Sequence, residues 1–131
     1  MKDKHIISNY SETWLENGVI VQVLSQDYVE VDLPMAKRLV DDRKEVSGNA
    51  MRPVLVDVKN VISVRKEAKK YYNQPDSYQN LSAIAMLVDN YIAKTIGNIV
   101  FKLQNTPVPT ELFNDKSKAM NWLENYKAKR D

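Results

Sequence analysis

Two aspartates are the side chains best placed for chemistry in this sequence. Asp57 follows the apolar run Val54–Val56, and Asp89 follows a second apolar run, Leu81–Val88. In an open α/β sheet, ligands bind beside the carboxyl ends of the strands. A carboxylate pair at that edge could hold Mg²⁺ or transfer protons. No third ligand or nucleophile accompanies the pair, so the sequence favours loop or helix capping and predicts neither a catalytic residue nor a metal site.

The other reactive residue types exclude several enzyme classes. The chain has no cysteine, which rules out disulfides, thiolate catalysis and zinc–thiolate sites. Its one histidine, His5, stands in a polar N-terminal segment and is expected to be solvated. The three glycines (Gly18, Gly48 and Gly97) are too scattered to cradle a phosphate or a dinucleotide. We therefore predict a protein that is not an enzyme and binds no cofactor.

Length and composition indicate one globular domain over residues 1–131, with an ordered core at about 9–127. The chain of 131 residues is 44% hydrophobic and 27% charged, which is close to the average for globular domains. Its net charge of +2 is too small to indicate nucleic-acid binding. The sequence contains no apolar run long enough to span a membrane and no apolar signal core near the N-terminus. The expected location is the cytoplasm.

The first elements that must position these residues are two strands and a helix. Asn17-Gly18 stands between two β-favouring runs and suits a type I′ turn, so strands are expected near 10–15 and 19–24. Asp32 is the expected N-cap of a helix at about 33–46.

Apolar strands and amphipathic helices alternate through the rest of the chain. "RPVLVDVK" predicts a strand, and "LSAIAMLVD" predicts another, with a helix as its alternative. "TPVPTELF" predicts the last strand, and the segments "SVRKEAKKYYNQ", "NYIAKTIGNIVFKLQN" and "NDKSKAMNWLENYKAKR" predict helices. The fold class is therefore α/β, with a mixed, mostly parallel sheet of about five strands, an N-terminal hairpin and helices on both faces. Residues 1–8 and 128–131 are expected to be frayed.

A basic stretch follows the strand that ends at Asp57. Its positive residues are Lys59, Arg65, Lys66, Lys69 and Lys70, with Glu67 among them. Helical spacing gives four of them, from Arg65 on, one outward face. Two interpretations stay open, a solvated helix face and a site for an anionic partner or lipid head group.

The segment "VLVDVKNVISVRKEA" resembles the strand, loop and helix start of STAS domains, the family of anti-sigma-factor antagonists and sulfate-transporter tails. "LENG", "RPVLVDVKNV", "AIAMLVDNYIAKTIGN", "VPTELF" and "AMNWLENY" resemble a SpoIIAA-like, STAS/SEC-fourteen-type group of small bacterial proteins, common in the Bacteroidetes. This resemblance covers about 15–126. It implies a sheet with helices on both sides and no enzymatic activity.

The sequence departs from this family at the regulatory serine. In anti-sigma-factor antagonists, a serine at the helix start is phosphorylated and controls partner binding. The matching positions here read Arg65-Lys66-Glu67-Ala68 and carry no hydroxyl group. Ser63 lies two residues earlier. Its expected role is that of a helix N-cap, with regulatory phosphorylation as the alternative.

Two functions from different classes remain. The first is a non-enzymatic docking module for an unknown protein partner or a second copy of the chain, through Asn60, Ser63, Arg65, Lys66 and Lys69. The second is a small carrier or sensor for a lipid-like or other amphipathic ligand, in a pocket formed by Met86, Ile96, Gly97 and Phe101. Ordinary core packing is the alternative for this second group.

Overall fold

The hairpin at Asn17-Gly18 opens the sheet in a computed structural model of the chain, which describes residues 4–25, 29–89 and 108–127. Asn17 and Gly18 have φ angles of 51° and 82°, the positive values that a type I′ turn requires. The strands on either side, Ser11–Glu16 and Val19–Leu24, pair antiparallel through this turn. The predicted hairpin is therefore confirmed.

Six strands of the described residues form the main sheet. They are β1 His5–Ile7, β2 Ser11–Glu16, β3 Val19–Leu24, β5 Arg52–Asp57, β7 Leu81–Leu87 and β8 Thr110–Phe113, and they lie in this order across the sheet. β3, β5, β7 and β8 run parallel, and β1 and β2 add an antiparallel edge. This confirms the mixed, mostly parallel sheet, with six strands in place of about five.

The N-terminal strand is a feature that the sequence did not predict. His5–Ile7 pairs with β2, so the expected fraying of residues 1–8 is wrong for this strand. His5 is exposed, but its Nε2 lies 3.2 Å from Glu12 Oε2 on the neighbouring strand. The segment is polar and gave no sign of a strand, because this strand forms through backbone pairing with the hairpin.

A second, two-stranded sheet stands beside the main one. It pairs β4 (Val29–Val31) in parallel with β6 (Val61–Val64). Backbone hydrogen bonds from Val29 N to Asn60 O and from Arg65 N to Val31 O extend the pairing at both ends. The resemblance implied a loop and a helix start after Asp57, whereas Val61–Val64 forms a strand.

Three helices are described, and none of them is long and apolar enough to cross a membrane. The predicted N-cap Asp32 is confirmed, because its Oδ1 accepts a hydrogen bond from Met35 N at 2.9 Å. Asp115 caps the last helix in the same way, with its Oδ1 accepting from Lys118 N at 3.1 Å. The helix predicted at 90–105 and the frayed end at 128–131 fall on residues outside the described ranges. The helices are α1 Leu33–Ser47, α2 Lys66–Tyr72 and α3 Lys116–Leu123, with 3₁₀ helices at Pro75–Tyr78 and Glu124–Tyr126.

The main sheet has a core on each face, because successive side chains of a strand point to opposite sides. Ile20 and Gln22 face α1, whereas Val21 faces α3. The α3 face is closed by small and branched side chains of β5 and β7 packed against Ala119 and Leu123, which are fully buried. The functional candidates lie on the other face, where α1, α2 and β6 surround the sheet.

Candidate docking surface and adjoining cavity

Asp57 ends β5 and starts the loop that leads to β6. Its Oδ1 accepts a hydrogen bond from the Lys59 amide at 3.1 Å, and its Oδ2 lies 3.4 Å from Lys59 Nζ. These contacts make Asp57 a loop cap, which is the role that the sequence favoured. Asp89 lies two residues beyond the end of β7. Within the described ranges, no cluster of three or more His, Asp or Glu side chains is arranged to hold a metal ion.

Glu30 links the second sheet to the start of α2. Its Oε2 accepts a hydrogen bond from Ser63 Oγ at 3.0 Å, and its Oε1 accepts one from Arg65 Nη1 at 3.1 Å. One carboxylate on β4 thus orients two of the residues that the sequence analysis singled out. The parallel pairing of β4 with β6 brings Glu30 beside Ser63 from 33 residues away in the chain.

Ser63 lies within β6, and the prediction that it caps α2 is wrong. The N-cap position belongs to Arg65, which has extended backbone angles and makes no side-chain capping bond. The Ser63 hydroxyl is already bonded to a carboxylate. A phosphate on Ser63 would therefore stand beside the negative Glu30 as well as the positive Arg65, unlike a phosphate at a helix start.

An isoleucine that the sequence analysis did not single out projects from the centre of this region. Ile62 is 54% exposed, while Val61 beside it is buried, as the alternation of a strand requires. Asn60, Arg65 and Lys66 are also exposed. We call this region the docking surface, and it comprises Glu30, Asn60, Ile62, Ser63, Arg65 and Lys66.

The docking surface is less positive than the basic stretch indicated. Arg65 pairs with Glu30, and Lys59 pairs with Asp57, so two of the five predicted positive charges have a carboxylate partner. Lys66 and Lys70 are exposed, whereas Lys69 is half-buried and turns inward. The predicted outward face therefore holds for Arg65, Lys66 and Lys70 but does not include Lys69.

Lys69 lines a cavity of about 140 Å³ between the sheet and the helices. Its floor is the apolar face of β3, β5 and β7, and its walls come from α1, α2, β6 and the 3₁₀ helix Pro75–Tyr78. Met86, which the sequence placed in a ligand pocket, lines it as well. The other predicted pocket residues, Ile96, Gly97 and Phe101, fall outside the described residues.

Arg43 places a positive charge in the wall of this cavity. It is 4% exposed, and its Nη1 and Nη2 donate to the backbone oxygens of Gln79 at 2.9 Å and Ser77 at 2.8 Å. No carboxylate of the described chain lies within ion-pair distance of it. Burial lowers the pKa of Arg43 to about 10, which leaves the guanidinium charged at neutral pH.

Tyr72 lies beside this charge, and its raised pKa should make the folded protein less stable at alkaline pH. Burial raises the pKa of Tyr72 above its usual 10.0, with a smaller contribution in the same direction from Tyr71. The folded state therefore holds this proton more tightly than the unfolded state. The resulting stability is complete below pH 10.0 and is lost as pH rises through the folded pKa.

The pKa of Arg43 is lowered, so Arg43 changes the stability in the opposite direction over the same pH range. Comparing the parent with Tyr72→Phe separates the contribution of Tyr72 from that of Arg43. Urea unfolding on both sides of pH 10.0 should show a shallower alkaline loss of stability in Tyr72→Phe than in the parent. Phe113→Leu, on the α3 side of the sheet, is the control that changes an aromatic residue without a titratable group, and it should keep the parent slope. Equal slopes in the parent and Tyr72→Phe would contradict the assignment.

Sequence patterns did not indicate three residues of this region, Glu30, Ile62 and Arg43. The β-branched residues Val61, Ile62 and Val64 were the available signal for a strand, but their spacing does not show which of them faces outward. Arg43 falls within the helix predicted at about 33–46. Its partners are 34 and 36 residues away, and nothing near it in the sequence indicates them.

Comparisons with known proteins support the fold. A family model described as "Domain of unknown function (DUF7793)" matches residues 13–127, while no curated protein matches the chain. Among solved structures, the chain is similar to an uncharacterised protein of the DUF3478 family with a SpoIIAA-like fold, from Shewanella loihica PV-4. The two chains are 11% identical, the alignment covers 94% of this chain and 98% of that one, and the TM-score is 0.63. The SpoIIAA-like α/β fold is thereby confirmed, and neither match indicates a catalytic function.

Proposed function

The chain belongs to the family described as "Domain of unknown function (DUF7793)", and we propose that it serves as a non-enzymatic docking module. The docking surface is the part of it that binds another protein. The observation that carries this proposal is the exposed Ile62 on a short strand held in place by Glu30. An apolar side chain in the middle of a polar rim is the usual composition of a protein interface.

The charges around Ile62 define the kind of partner. Glu30 and Arg65 satisfy each other, which leaves Lys66 as an exposed cation without a carboxylate partner in the described chain. We expect a partner that covers Ile62 with an apolar patch and places an acidic side chain near Lys66. The same geometry admits a second copy of the chain as the partner.

Ile62→Glu tests the docking module. Introducing a carboxylate at the centre of the interface should weaken partner binding by at least about tenfold, because the charge must be buried against an apolar patch. Parent and variant proteins are used as baits in an extract of the host organism. Proteins retained by the parent and lost with Ile62→Glu are then purified and titrated against both baits by calorimetry. Light scattering of the parent alone measures self-association.

The matched control is Ile7→Glu, which changes another exposed isoleucine on the edge strand β1. It should retain every partner that the parent retains. Equal binding by the parent and Ile62→Glu, with both folded by circular dichroism, would contradict the docking surface. Loss with both variants would point to general surface charge and would also contradict it.

The cavity favours a second candidate function, a carrier or sensor for an amphipathic ligand. It is lined mostly by apolar side chains, and it combines Met86 with the cationic Lys69 and Arg43. A native mass spectrum of the protein from its own host, beside a denatured intact mass, tests this candidate. Additional mass that disappears on denaturation supports a bound small molecule, and identical masses contradict it.

A further inference from the structure

We propose that the cavity binds a small monocarboxylic acid, with an apolar body against the sheet and the carboxylate at Lys69 and Arg43. This inference rests on the second proposed function and names its ligand class. It does not depend on the docking surface. Three features support the proposed ligand, namely the size of the cavity, the composition of its walls, and the positive charge of Lys69 and Arg43, which have no carboxylate within ion-pair distance in the described chain.

The size of the cavity restricts the apolar body. Its volume is about 140 Å³, and an apolar cavity of similar volume accommodates a benzene ring, so a body of about six carbon atoms fits. Leu24, Val54, Val56, Ile84 and Met86 present aliphatic side chains from the sheet. The part of a ligand that this space encloses is a short chain or a single ring, which makes an acid with such a body the expected ligand.

The charge in the walls determines the head group. The carbonyl groups of Gln79 and Ser77 satisfy hydrogen bonds of Arg43 but leave its positive charge without a carboxylate in ion-pair contact. Asp76, the carboxylate that acts on Arg43 electrostatically, is paired with Lys44 at 2.6 Å. Lys69 likewise has no carboxylate within ion-pair distance in the described chain, although it is half-buried. A buried charge is unfavourable unless an opposite charge compensates it. A ligand carboxylate supplies that compensation.

A carboxylate fits this setting better than a phosphate. Most of the lining is apolar, and a doubly charged phosphate loses more hydration energy on entering such a site. A carboxylate carries a single charge and accepts hydrogen bonds from two donors at once. Tyr72, which is uncharged at neutral pH, also lines the cavity and adds no negative charge to it. The expected ligand is thus a monoanion attached to a compact hydrocarbon group.

Hexanoate and hexanol are the probes, since they share a hydrocarbon chain and differ in charge. The full-length protein is labelled with ¹³C at its methionine methyl groups and titrated with each probe at neutral pH. Hexanoate should shift the methyl signal of Met86, which lines the cavity, but not that of Met51, which is 55% exposed in the turn before β5. Hexanoate should bind at least about fivefold more tightly than hexanol, because charged hydrogen bonds are stronger than neutral ones.

Lys69→Met removes the charge at the cavity wall and keeps a long side chain. It should lower hexanoate affinity about tenfold, the usual effect of losing one charged hydrogen bond, and leave hexanol affinity unchanged. Lys70→Met is the matched control, because Lys70 is the next residue of α2 and is exposed. It should keep the parent affinity for both probes.

The outcomes separate this inference from the function on which it rests. Equal affinity for hexanoate and hexanol, both shifting Met86, would overturn the anionic head group and leave a carrier of neutral ligands. Absence of any Met86 shift with either probe would overturn both the ligand class and the carrier function. An equal loss of hexanoate affinity in Lys69→Met and Lys70→Met would assign binding to general surface charge and would overturn the site.

Discussion

Replacing Arg43 with methionine is expected to lower the free energy of unfolding by about 3 kcal/mol, because two charged hydrogen bonds are lost at a buried site. Arg43 Nη1 and Nη2 connect α1 to the backbone oxygens of Gln79 and Ser77. Without the guanidinium, these oxygens face an apolar side chain and lack a donor. The decrease in the free energy of unfolding is partly offset, because Arg43→Met no longer has to bury an unpaired charge.

Urea unfolding of Arg43→Met, Arg43→Lys and Lys37→Met measures this effect. Lysine retains the charge but cannot reach both oxygens with a planar fork, so Arg43→Lys should fall between the parent and Arg43→Met. Lys37 lies on the exposed side of α1, and Lys37→Met should change the stability by less than about 0.5 kcal/mol. Arg43→Met should also bind hexanoate more weakly than the parent under native conditions.

A different result would assign Arg43 a different role. If Arg43→Met is as stable as the parent, the hydrogen bonds only balance the energetic penalty of burying the charge. Such a charge would then be explained by function alone, and the loss of hexanoate binding would be the decisive observation. If the variant is equally stable and binds hexanoate as the parent does, Arg43 has neither role.

The elements governed by local chemistry were predictable from the sequence. Asn17-Gly18 defined the hairpin through its positive φ angles, and Asp32 defined the start of α1 through its capping bond. Leu81–Leu87 is the strand that the sequence favoured, with a helix as its alternative. In each case the signal lies within a few residues of the element that it specifies.

The parts of the site that depend on distant pairing were not predictable in this way. β6 is only four residues long and owes its conformation to pairing with β4, more than thirty positions away. Because the pairing displaced the helix start to Arg65, Ser63 acquired Glu30 as its partner in place of the helix amides. The inward turn of Lys69 follows from the same packing of α2 over the sheet.

Replacing Leu123 with alanine should lower the free energy of unfolding by about 3 to 4 kcal/mol, the usual range for a fully buried leucine. Leu123 is 0% exposed and ends α3, packed against the sheet among Val21, Leu55 and Ala85. The strands of a sheet move little, so the space vacated by the side chain is expected to stay partly empty. Urea unfolding measures the loss, and Asn121→Ala, an exposed change on the same helix, should alter the stability by less than about 0.5 kcal/mol.

The two faces of the sheet make this variant a test of where function lies. Leu123 is on the α3 face, whereas the cavity and the docking surface are on the face covered by α1, α2 and β6. Leu123→Ala should therefore lose stability yet bind hexanoate with the parent affinity below its unfolding transition, unlike Arg43→Met, which should lose both. A parallel loss of hexanoate affinity in Leu123→Ala would mean that binding follows overall stability, and the assignment of the ligand site to one face of the sheet would then be wrong.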